Sequence, residues 1–577
     1  MKNKLVADLL YQIADLLDIK GDIFFKTRAY RIAAQTIEVL NEDIEVISKE
    51  DRLKDINGVG EALSLKIKEF LDEGKLQYFE KLKREIPAGV LDLLNISGLG
   101  PKKVSILFNK LNILNVEQLK IACIEGKLRN LDGFGEITER NILRGISLKE
   151  KTSGRILLNI AYETCMEYIR YLKKYDNIDK ISMAGSLRRM KETIGDIDLI
   201  VASDYPNDVM EYFIKYSKVK TILQKGKTKS SVLLKDNNIQ VDLRVVEDKS
   251  YGAALQYFTG SKEHNVKIRG ISIKEGYKLN EYGLYTKQNG TYTVGKTEKD
   301  IYEKLKLRYI EPEIRENRGE IEAAYLKKLP KLVKYDDIKG DFHIHSNWSD
   351  GNNTIEELAL YSKKLGYKYI GIADHSESLK IANGLNSRKI GEKIEEISRL
   401  NSRLSDIEIF CGTECDIKKN GKLDYNKDVL KKFDYVGIAI HSSFRSSKND
   451  ITNRIISAMQ NEYVDYLAHP TCRIIGIREP IDIDLEKIFE TAVETNTYLE
   501  INSFPDRLDL NDLNIKHGKD IGVKFIIGTD SHNINHLNFM RYGIATARRG
   551  WLNKEDILNT YSIKKIKTIF KRDKRYG

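Results

Sequence analysis

Cysteine is scarce in this chain: Cys123, Cys165, Cys411, Cys415 and Cys472 make an odd, scattered set among 577 residues. Such a set builds no disulfide framework and points to a reducing compartment. No charged-then-apolar leader opens the sequence and no apolar run reaches bilayer-spanning length, so a cytoplasmic protein without a membrane partner is expected. Blocks of one charge are lacking too. The 96 basic and 85 acidic residues interleave to a net charge of +11, which suits a soluble protein with a modest pull toward polyanions. What the chain does have is length, enough for several units that each bury their own core.

Through about Lys149 the sequence reads as short helices. "LVADLLYQIADLL" and "YRIAAQTIEVL" space their apolar residues at three and four. Between such helices stand "INGVGEAL", "ISGLGPKKV" and "LDGFGEIT", three copies of one pattern, with Gly58/Gly60, Gly98/Gly100 and Gly133/Gly135 each followed by a helix. A Gly-x-Gly turn leaves no side chain above the backbone, so consecutive N–H groups can face a phosphate. One copy is an ordinary connector; three favour DNA binding. The pattern resembles the helix-hairpin-helix motif, which grips the phosphate backbone without reading sequence.

From Ser153 to about Tyr309 the texture is α+β, with strands expected at "KISMAG", "IDLIVA", "SSVLLK" and "IQVDLRVV". In "GDIDLI", Asp196 and Asp198 project from one face of a strand, and Asp242 sits on another that can pair alongside. Three carboxylates at one point repel unless cations lie between them, and Mg²⁺ favours oxygen ligands shared with phosphate. Two such ions can activate a 3′-hydroxyl and stabilise leaving pyrophosphate. A lone D-x-D is commonly just solvated. Here the Gly185-Ser186 turn offers N–H and hydroxyl groups to a triphosphate, Arg189 can neutralise its charge, and Gly195 lets phosphates approach the strand. The pattern therefore points to nucleotidyl transfer. "KGKTKSS" fails as a Walker loop, since Thr221 stands where a glycine is required.

Downstream, "YGAALQYFTGSKEHNVKIRG" puts Tyr257 and Phe258 before a Thr259-Gly260 turn, with Asn265 and Arg269 at helical spacing. With the hairpins, the Gly-Ser turn and the three aspartates, this resembles the family X DNA polymerases, the group that includes DNA polymerase beta, over roughly the first 318 residues. The resemblance implies that Asp196, Asp198 and Asp242 bind two Mg²⁺ or Mn²⁺ ions. It implies that Ser186, Arg189 and Gly195 hold the triphosphate, that Tyr257 and Phe258 pack against the sugar and help exclude a 2′-hydroxyl, and that Asn265 and Arg269 touch the minor-groove side of the nascent pair. Two positions depart from relatives: Gln240 where several carry arginine, and Lys262 where an acid is usual. "FKTRAYRIAAQTIE" with "GVGEALSLKI" resembles the small lyase domain of the same family, with Lys66 at its Schiff-base position. Lys26 and Arg31 are candidate cationic neighbours that would keep an amine neutral. Ala62 replaces a second lysine, so Lys66 as a phosphate contact on DNA is the competing reading.

Of nine histidines, eight lie between His343 and His536. From Ile338 onward short apolar strands such as "YIGIAD", "YVGIAI", "YLAHP", "YLEIN" and "KFIIGTD" alternate with helical segments, as in a βα barrel. His343, His345, Asp350, His375, Glu414, His441, His469, Asp530 and His532 stand at or just beyond strand ends, which converge at one mouth of such a barrel. A mixed nitrogen and oxygen set suits borderline metals such as Mn²⁺, Zn²⁺ or Fe. It resembles the PHP (polymerase and histidinol phosphatase) metallophosphoesterases, distorted seven-stranded barrels with up to three ions, Mn²⁺ or Zn²⁺. The resemblance implies that His343, His345, Glu414 and Asp530 hold one ion, Glu414, His441 and His469 a second, and Asp350, His375 and His532 a third. His517 and His536 read as surface residues and Cys411 and Cys415 as core, while Asn502 and Arg507 are candidate contacts for a substrate phosphate.

The expected architecture is helical and multidomain at the start, an α+β palm and thumb in the middle, and a (β/α)7 PHP barrel at the end. Boundaries are expected at 1–85 (lyase-like), 86–150 (fingers-like), 151–262 (palm), 263–318 (thumb), 319–337 (linker) and 338–577 (barrel). "YIEPEIRENRGEIEAAYLKKLPKLV" reads as a charged connector with little to offer a core. The order polymerase then metallophosphoesterase looks like the bacterial and archaeal family X enzymes. That implies gap filling in base excision repair on gapped or primed DNA with deoxynucleoside triphosphates, by a monomer, with 3′-5′ exonuclease and abasic-site or 3′-phosphate cleavage in the barrel. The alternatives are an RNA or small-molecule nucleotidyltransferase fused to a phosphatase, and a DNA-binding scaffold with inactive sites.

Overall fold

A computed structural model of the chain describes residues 2–570 apart from 23, 39, 41–42, 97–98, 130 and 153. The chain forms two compact units, Met1–Ser153 with Ile474–Glu479, and Gly154–Arg473 with Pro480–Gly577. Among the described residues, no helix is long and apolar enough to cross a membrane.

The first unit is helical, as the three-and-four spacing predicts. Helices Asn3–Lys20, Phe24–Glu38, Glu61–Glu73, Pro101–Leu111 and Glu136–Thr152 are its longest elements. Their apolar stripes share one buried cluster running from Val6 to Ile146.

The second unit contains three sheets that matter for function. In the palm, five strands lie in the spatial order Lys180–Met183, Asp196–Ala202, Gln240–Val246, Lys229–Leu234, Val219–Lys225. Only Asp196–Ala202 and Gln240–Val246 run parallel. The thumb carries an antiparallel sheet of Tyr277–Asn280, Gly283–Thr286 and Tyr292–Val294.

Seven parallel strands follow in simple chain order: Gly340–Ile344, Tyr369–Ile372, Glu408–Asp416, Tyr435–Ala439, Tyr466–Leu467, Tyr498–Asn502 and Phe525–Gly528. The backbone of Ser531 bonds to His343 and His345 (3.2 and 2.8 Å), which nearly closes the sheet into a barrel. The strands are buried along nearly their whole length because both faces are covered. Phe342, Tyr369, Phe410, Tyr435 and Tyr466 pack with Phe570 in one buried cluster, and Gly412 leaves room for the Tyr435 ring. Each such ring contributes on the order of 2 kcal/mol by leaving water. The surrounding helices start from side-chain caps: Thr354, Asn386, Ser447, Asp484 and Asn511 each accept a backbone N–H of the first turn.

The charged connector is not a loose tether. Ile310, Ile314, Ile321, Ala324 and Leu332 are buried in the thumb's core cluster, and Val333 in the barrel's. Three of its charges are held in buried pairs: Arg315 with Glu298 (2.6 Å), Glu313 with Arg548 (2.7 Å), and Glu320 with His264 (2.7 Å). Local composition reads as a connector with little to offer a core because the partners of these charges stand far away in sequence.

Candidate active sites

The three hairpins share one geometry. The N–H groups of Val59, Leu99 and Phe134 donate to the carbonyls of Ile56, Ile96 and Leu131 at 2.9, 3.1 and 3.0 Å. Helices then begin at Glu61, Pro101 and Glu136. The buried apolar residues of the pattern anchor each turn, and the space above Gly60, Gly100, Gly133 and Gly135 is open. Gly58 (φ +86°) packs against Ile32, whereas Gly98 lies outside the described residues. Lys66, on helix Glu61–Glu73, donates to the Tyr30 hydroxyl (2.8 Å) and lies 4.4 Å from the centre of the Tyr78 ring. Burial, then the Lys26 ammonium, pushes its pKa below the usual lysine value. Arg31 does not take part as expected: it is held by Asp15 and Asp18 at 2.7 and 2.9 Å.

In the palm, the parallel register places Asp198 directly beside Asp242 and Asp196 beside Gln240. Asp196 stands exposed at the strand's start and Asp198 is half-buried. Burial, followed by repulsion from Asp196 and Asp242, lifts the Asp198 carboxyl to about 7. Asp196, though exposed, is raised by partial desolvation of its carboxyl and by Asp242. Gln240 donates to Asp242 (2.7 Å), so the residue that replaces arginine orients a carboxylate. Gly185 has φ +62°, and a methyl group there would run into Asp198 Oδ2. Ser186 follows it in the same short helical turn. Arg155 Nη1 lies 3.1 Å from where a Gly195 side chain would begin.

Arg189 is engaged with the thumb: Nε meets Glu316 (3.1 Å) and Nη1 the Thr259 carbonyl. Its neighbour Arg188, which sequence reasoning passed over, forks onto Glu298 at 2.8 and 2.6 Å and so locks the turn to the thumb. Phe258 stacks under the Arg244 guanidinium (4.1 Å) and Tyr257 meets Phe258 edge-on. Asn265 is buried, donating to the Tyr257 carbonyl (2.6 Å) and accepting from Gln256 (2.8 Å). It therefore sets the bend around Gly260, while Arg269 one turn on is exposed.

In the barrel, the strand ends bring all nine predicted side chains to one mouth. Glu414 is the hub: Oε1 lies 2.8 Å from His469 and 3.3 Å from His441, Oε2 2.9 Å from His375, 3.6 Å from His343 and 3.7 Å from His345. Asp350 lies 3.5 Å from His375 and 3.4 Å from His532. Four groups have donor atoms within 4.8 Å of one another: His345/Asp350/His375/His532, His343/His469/Asp530, His343/His345/Glu414 and His375/Glu414/His441. The expected Asp350–His375–His532 triad is thus present with His345 added. His469 groups with His343 and Asp530, and His375 joins His441, so the other two sets are partitioned differently from expectation.

Burial disfavours the His345 cation, as do His375 and His532, and its pKa falls to about 4. Burial also works against the His375 cation, but Glu414 and Asp350 outweigh it and lift the pKa to about 10. His343 Nε2 and both nitrogens of His345 are buried without a hydrogen-bond partner. Orphaned imidazole nitrogens are costly unless a ligand engages them, so the set fits borderline metal ions. All four groups among the described residues lie in the barrel, and the palm aspartates form none. Hard oxygen donors raised by mutual repulsion are nevertheless what a divalent cation relieves.

Sequence reasoning missed the outer contacts. Glu500 accepts from His343 Nδ1 (2.6 Å) and from the His469 N–H (2.6 Å); Asp416 lies 3.3 Å from His441 Nδ1. Only the Glu-x-Asn ending of "YLEIN" could have signalled Glu500. Asn502, expected to reach substrate, is buried and donates to Asp530 (3.1 Å). Arg507 lies 3.5 Å from Asp530. His517 is a surface residue, but His536 is half-buried, stacks on Phe539 and accepts from the His532 N–H (3.3 Å). Cys411 and Cys415 are core residues as expected.

A carboxylate-bearing palm beside a Gly-Ser turn, a thumb, tandem hairpins and a histidine-rich barrel define a nucleic-acid enzyme with two reaction centres. Residues 1–76 match the helix-hairpin-helix domain, 90–147 the SAM-like helix-hairpin-helix tandem, 254–316 the DNA polymerase beta thumb and 341–504 the PHP domain. The chain is 38% identical to the DNA polymerase/3′-5′ exonuclease PolX of Bacillus subtilis (strain 168), covering 99% of this chain and all of that one. The barrel half is 31% identical to a probable phosphatase of Thermoanaerobacter sp. (strain X514), over 41% of this chain and 95% of that one. DNA polymerase lambda of Rattus norvegicus is 24% identical over 53% of this chain and 55% of its own. The chain belongs to the family X DNA polymerases that carry a PHP domain.

Proposed function

We propose that the chain extends DNA primers at the palm and hydrolyses 3′ ends in the barrel, filling gaps during base excision repair as a cytoplasmic monomer. The observation that carries this reading is one chain holding both the Asp196–Asp198–Asp242 set and the nine-residue barrel cluster. Full-length similarity to a polymerase/exonuclease supports it.

In the palm, Asp196, Asp198 and Asp242 would hold Mg²⁺ or Mn²⁺, which when bound supply positive charge for the triphosphate and favour ionisation of the primer hydroxyl. The Gly185-Ser186 turn and Arg189 bind the phosphates, Gly195 leaves the space beside its backbone to the Arg155 guanidinium and an approaching phosphate, and Gln240 fixes the angle of Asp242. Tyr257 and Phe258 pack on the sugar, and Asn265 keeps them in place, with Arg269 reaching the nascent pair. The glycine hairpins hold backbone phosphates, and Lys66 acts as a lyase amine or as a further phosphate contact.

In the barrel, His343, His345, Asp350, His375, Glu414, His441, His469, Asp530 and His532 would hold up to three ions, Mn²⁺ or Zn²⁺, which when bound supply charge for the phosphoryl oxygens and the attacking water. Glu500 and Asp416 orient the imidazoles. The barrel's likeness to probable phosphatases favours a second substrate, a 3′-phosphate blocking the primer.

The test is a labelled primer on a one-nucleotide gapped duplex with Mn²⁺, with and without deoxynucleotides. Asp198→Ala should abolish extension and leave 3′ shortening; His343→Ala should do the reverse. Extension surviving in Asp198→Ala would remove the palm assignment, and shortening surviving in His343→Ala the barrel one.

A further inference from the structure

Two arginines of the barrel reach across to the palm loop that joins the Gly-Ser turn to the aspartates. Arg549, the last residue of helix Met540–Arg549, is 5% exposed. Its Nη1 donates to the backbone carbonyl of Arg189 (2.6 Å), to that of Glu313 (3.3 Å) and to the Glu316 carboxylate (3.1 Å). Its Nη2 donates to Asp512 (2.5 Å), which also pairs with Arg318 (2.9 Å). The Glu316 oxygen that takes Arg549 also takes Arg189 Nε at 3.1 Å. The charges alternate from Arg189 through Glu316, Arg549 and Asp512 to Arg318. Separately, Arg473 pairs with Glu192 at 2.7 Å while its fork also binds the carbonyls of Arg507 and Leu508.

Arg549 thus holds Arg189 at two points, its carbonyl and the carboxylate that orients its guanidinium. No other residue donates to that carbonyl among the bonds seen in the described residues. Removing the Arg549 fork would leave Glu316 facing one arginine instead of two. The Arg189 guanidinium would then be drawn further onto Glu316 and away from an incoming triphosphate. A lysine cannot replace the fork, because one ammonium does not span a carbonyl and two carboxylates in a plane.

We propose that Arg549 is a positioning residue for nucleotide binding, so that the hydrolase barrel supplies part of the polymerase's triphosphate site. This rests on the reading that Arg189 binds the triphosphate. Arg473–Glu192 is a barrel–palm contact that does not touch Arg189, and it serves as the control for mere adhesion between the two halves.

The test uses the full chain on gapped DNA and measures KM for the deoxynucleotide, kcat for extension and the rate of 3′ shortening. Arg549→Lys and Arg549→Met should raise KM about tenfold or more, the loss of a charge-assisted bond, with the smaller change in kcat. Shortening should be unchanged, and Glu192→Gln should lower the melting temperature without moving KM. If Arg549→Met fails to fold, Arg549→Lys alone decides. A KM within twofold of wild type in folded Arg549→Lys, or an equal KM rise in Glu192→Gln, would overturn the inference while leaving the proposed function standing. A wild type that does not extend would remove both.

Discussion

Replacing Asp198 by asparagine should stabilise the metal-free protein while destroying extension. Burial and the neighbouring Asp196 and Asp242 carboxylates hold the Asp198 carboxyl at about 7, against 3.8 for an ordinary aspartate. The folded state therefore keeps its proton where the unfolded state has lost it. Stability falls as pH rises from the unfolded value to the folded one, by about 1.4 kcal/mol per unit, roughly 4 kcal/mol in all. Asparagine is nearly isosteric and carries no charge, so the loss disappears. Between pH 5 and pH 8 the stability of Asp198→Asn relative to wild type should improve by about 3 kcal/mol in EDTA, a melting difference of a few degrees. Mg²⁺ should then raise the wild type more than the variant, since cations relieve the repulsion that the variant lacks. The assay is thermal unfolding of both proteins in EDTA and in Mg²⁺ across that pH range. A melting difference independent of pH, or an equal gain from Mg²⁺, would refute the claim that the palm carboxylates are mutually strained.

Two further outcomes follow from the same geometry. Glu500→Gln removes the carboxylate that takes His343 Nδ1 and the His469 N–H, so 3′ hydrolysis or metal affinity should fall about 10- to 100-fold with extension unchanged; equal hydrolysis in a titration of Mn²⁺ would contradict that role. Gly185→Ala puts a β-carbon at φ +62° against Asp198, costing about 1–2 kcal/mol of backbone strain and displacing the carboxylate, so extension should drop about 100-fold while hydrolysis is retained. Near-normal extension by that variant would mean that the turn does not set the position of Asp198.

The two clusters of candidate site residues were legible because their residue types are rare at such spacing and the scaffold imposes simple rules. Alternation along one strand puts Asp196 and Asp198 on one face, and parallel strands in chain order bring His343, His375, Glu414, His441, His469 and Asp530 to one mouth. What stayed hidden depends on partners distant in sequence. Glu313 and Arg548 are 235 residues apart, and nothing local marks Glu313 as a buried acid rather than a solvated one. The sequence marks Asn265 and Arg189 only as candidate nucleotide contacts, because their hydrogen bonds to Tyr257, Thr259 and Glu316 depend on how the thumb folds back. Arg31 was misread for the same reason, since Asp15 and Asp18 reach it only through the packing of two helices.

The two centres differ in how they carry charge, and that difference has a chemical consequence. In the palm, carboxylates face one another and a proton on Asp198 is the internal remedy. In the barrel, histidines supply the countercharge. Burial opposes ionisation of Glu414, yet His441, His375 and His343 hold its carboxyl well below the usual range, and burial opposes the His441 cation, yet Glu414 and Asp416 lift its pKa to about 9. A metal ion binding in the barrel competes with protons on imidazoles such as His375 and His441, whose cations are favoured, whereas in the palm the raised groups are the carboxyls of Asp198 and Asp196. Protons therefore compete with metal more steeply in the barrel. As pH falls toward 6 at limiting metal, hydrolysis should fade before extension, tilting the enzyme from trimming ends toward extending them.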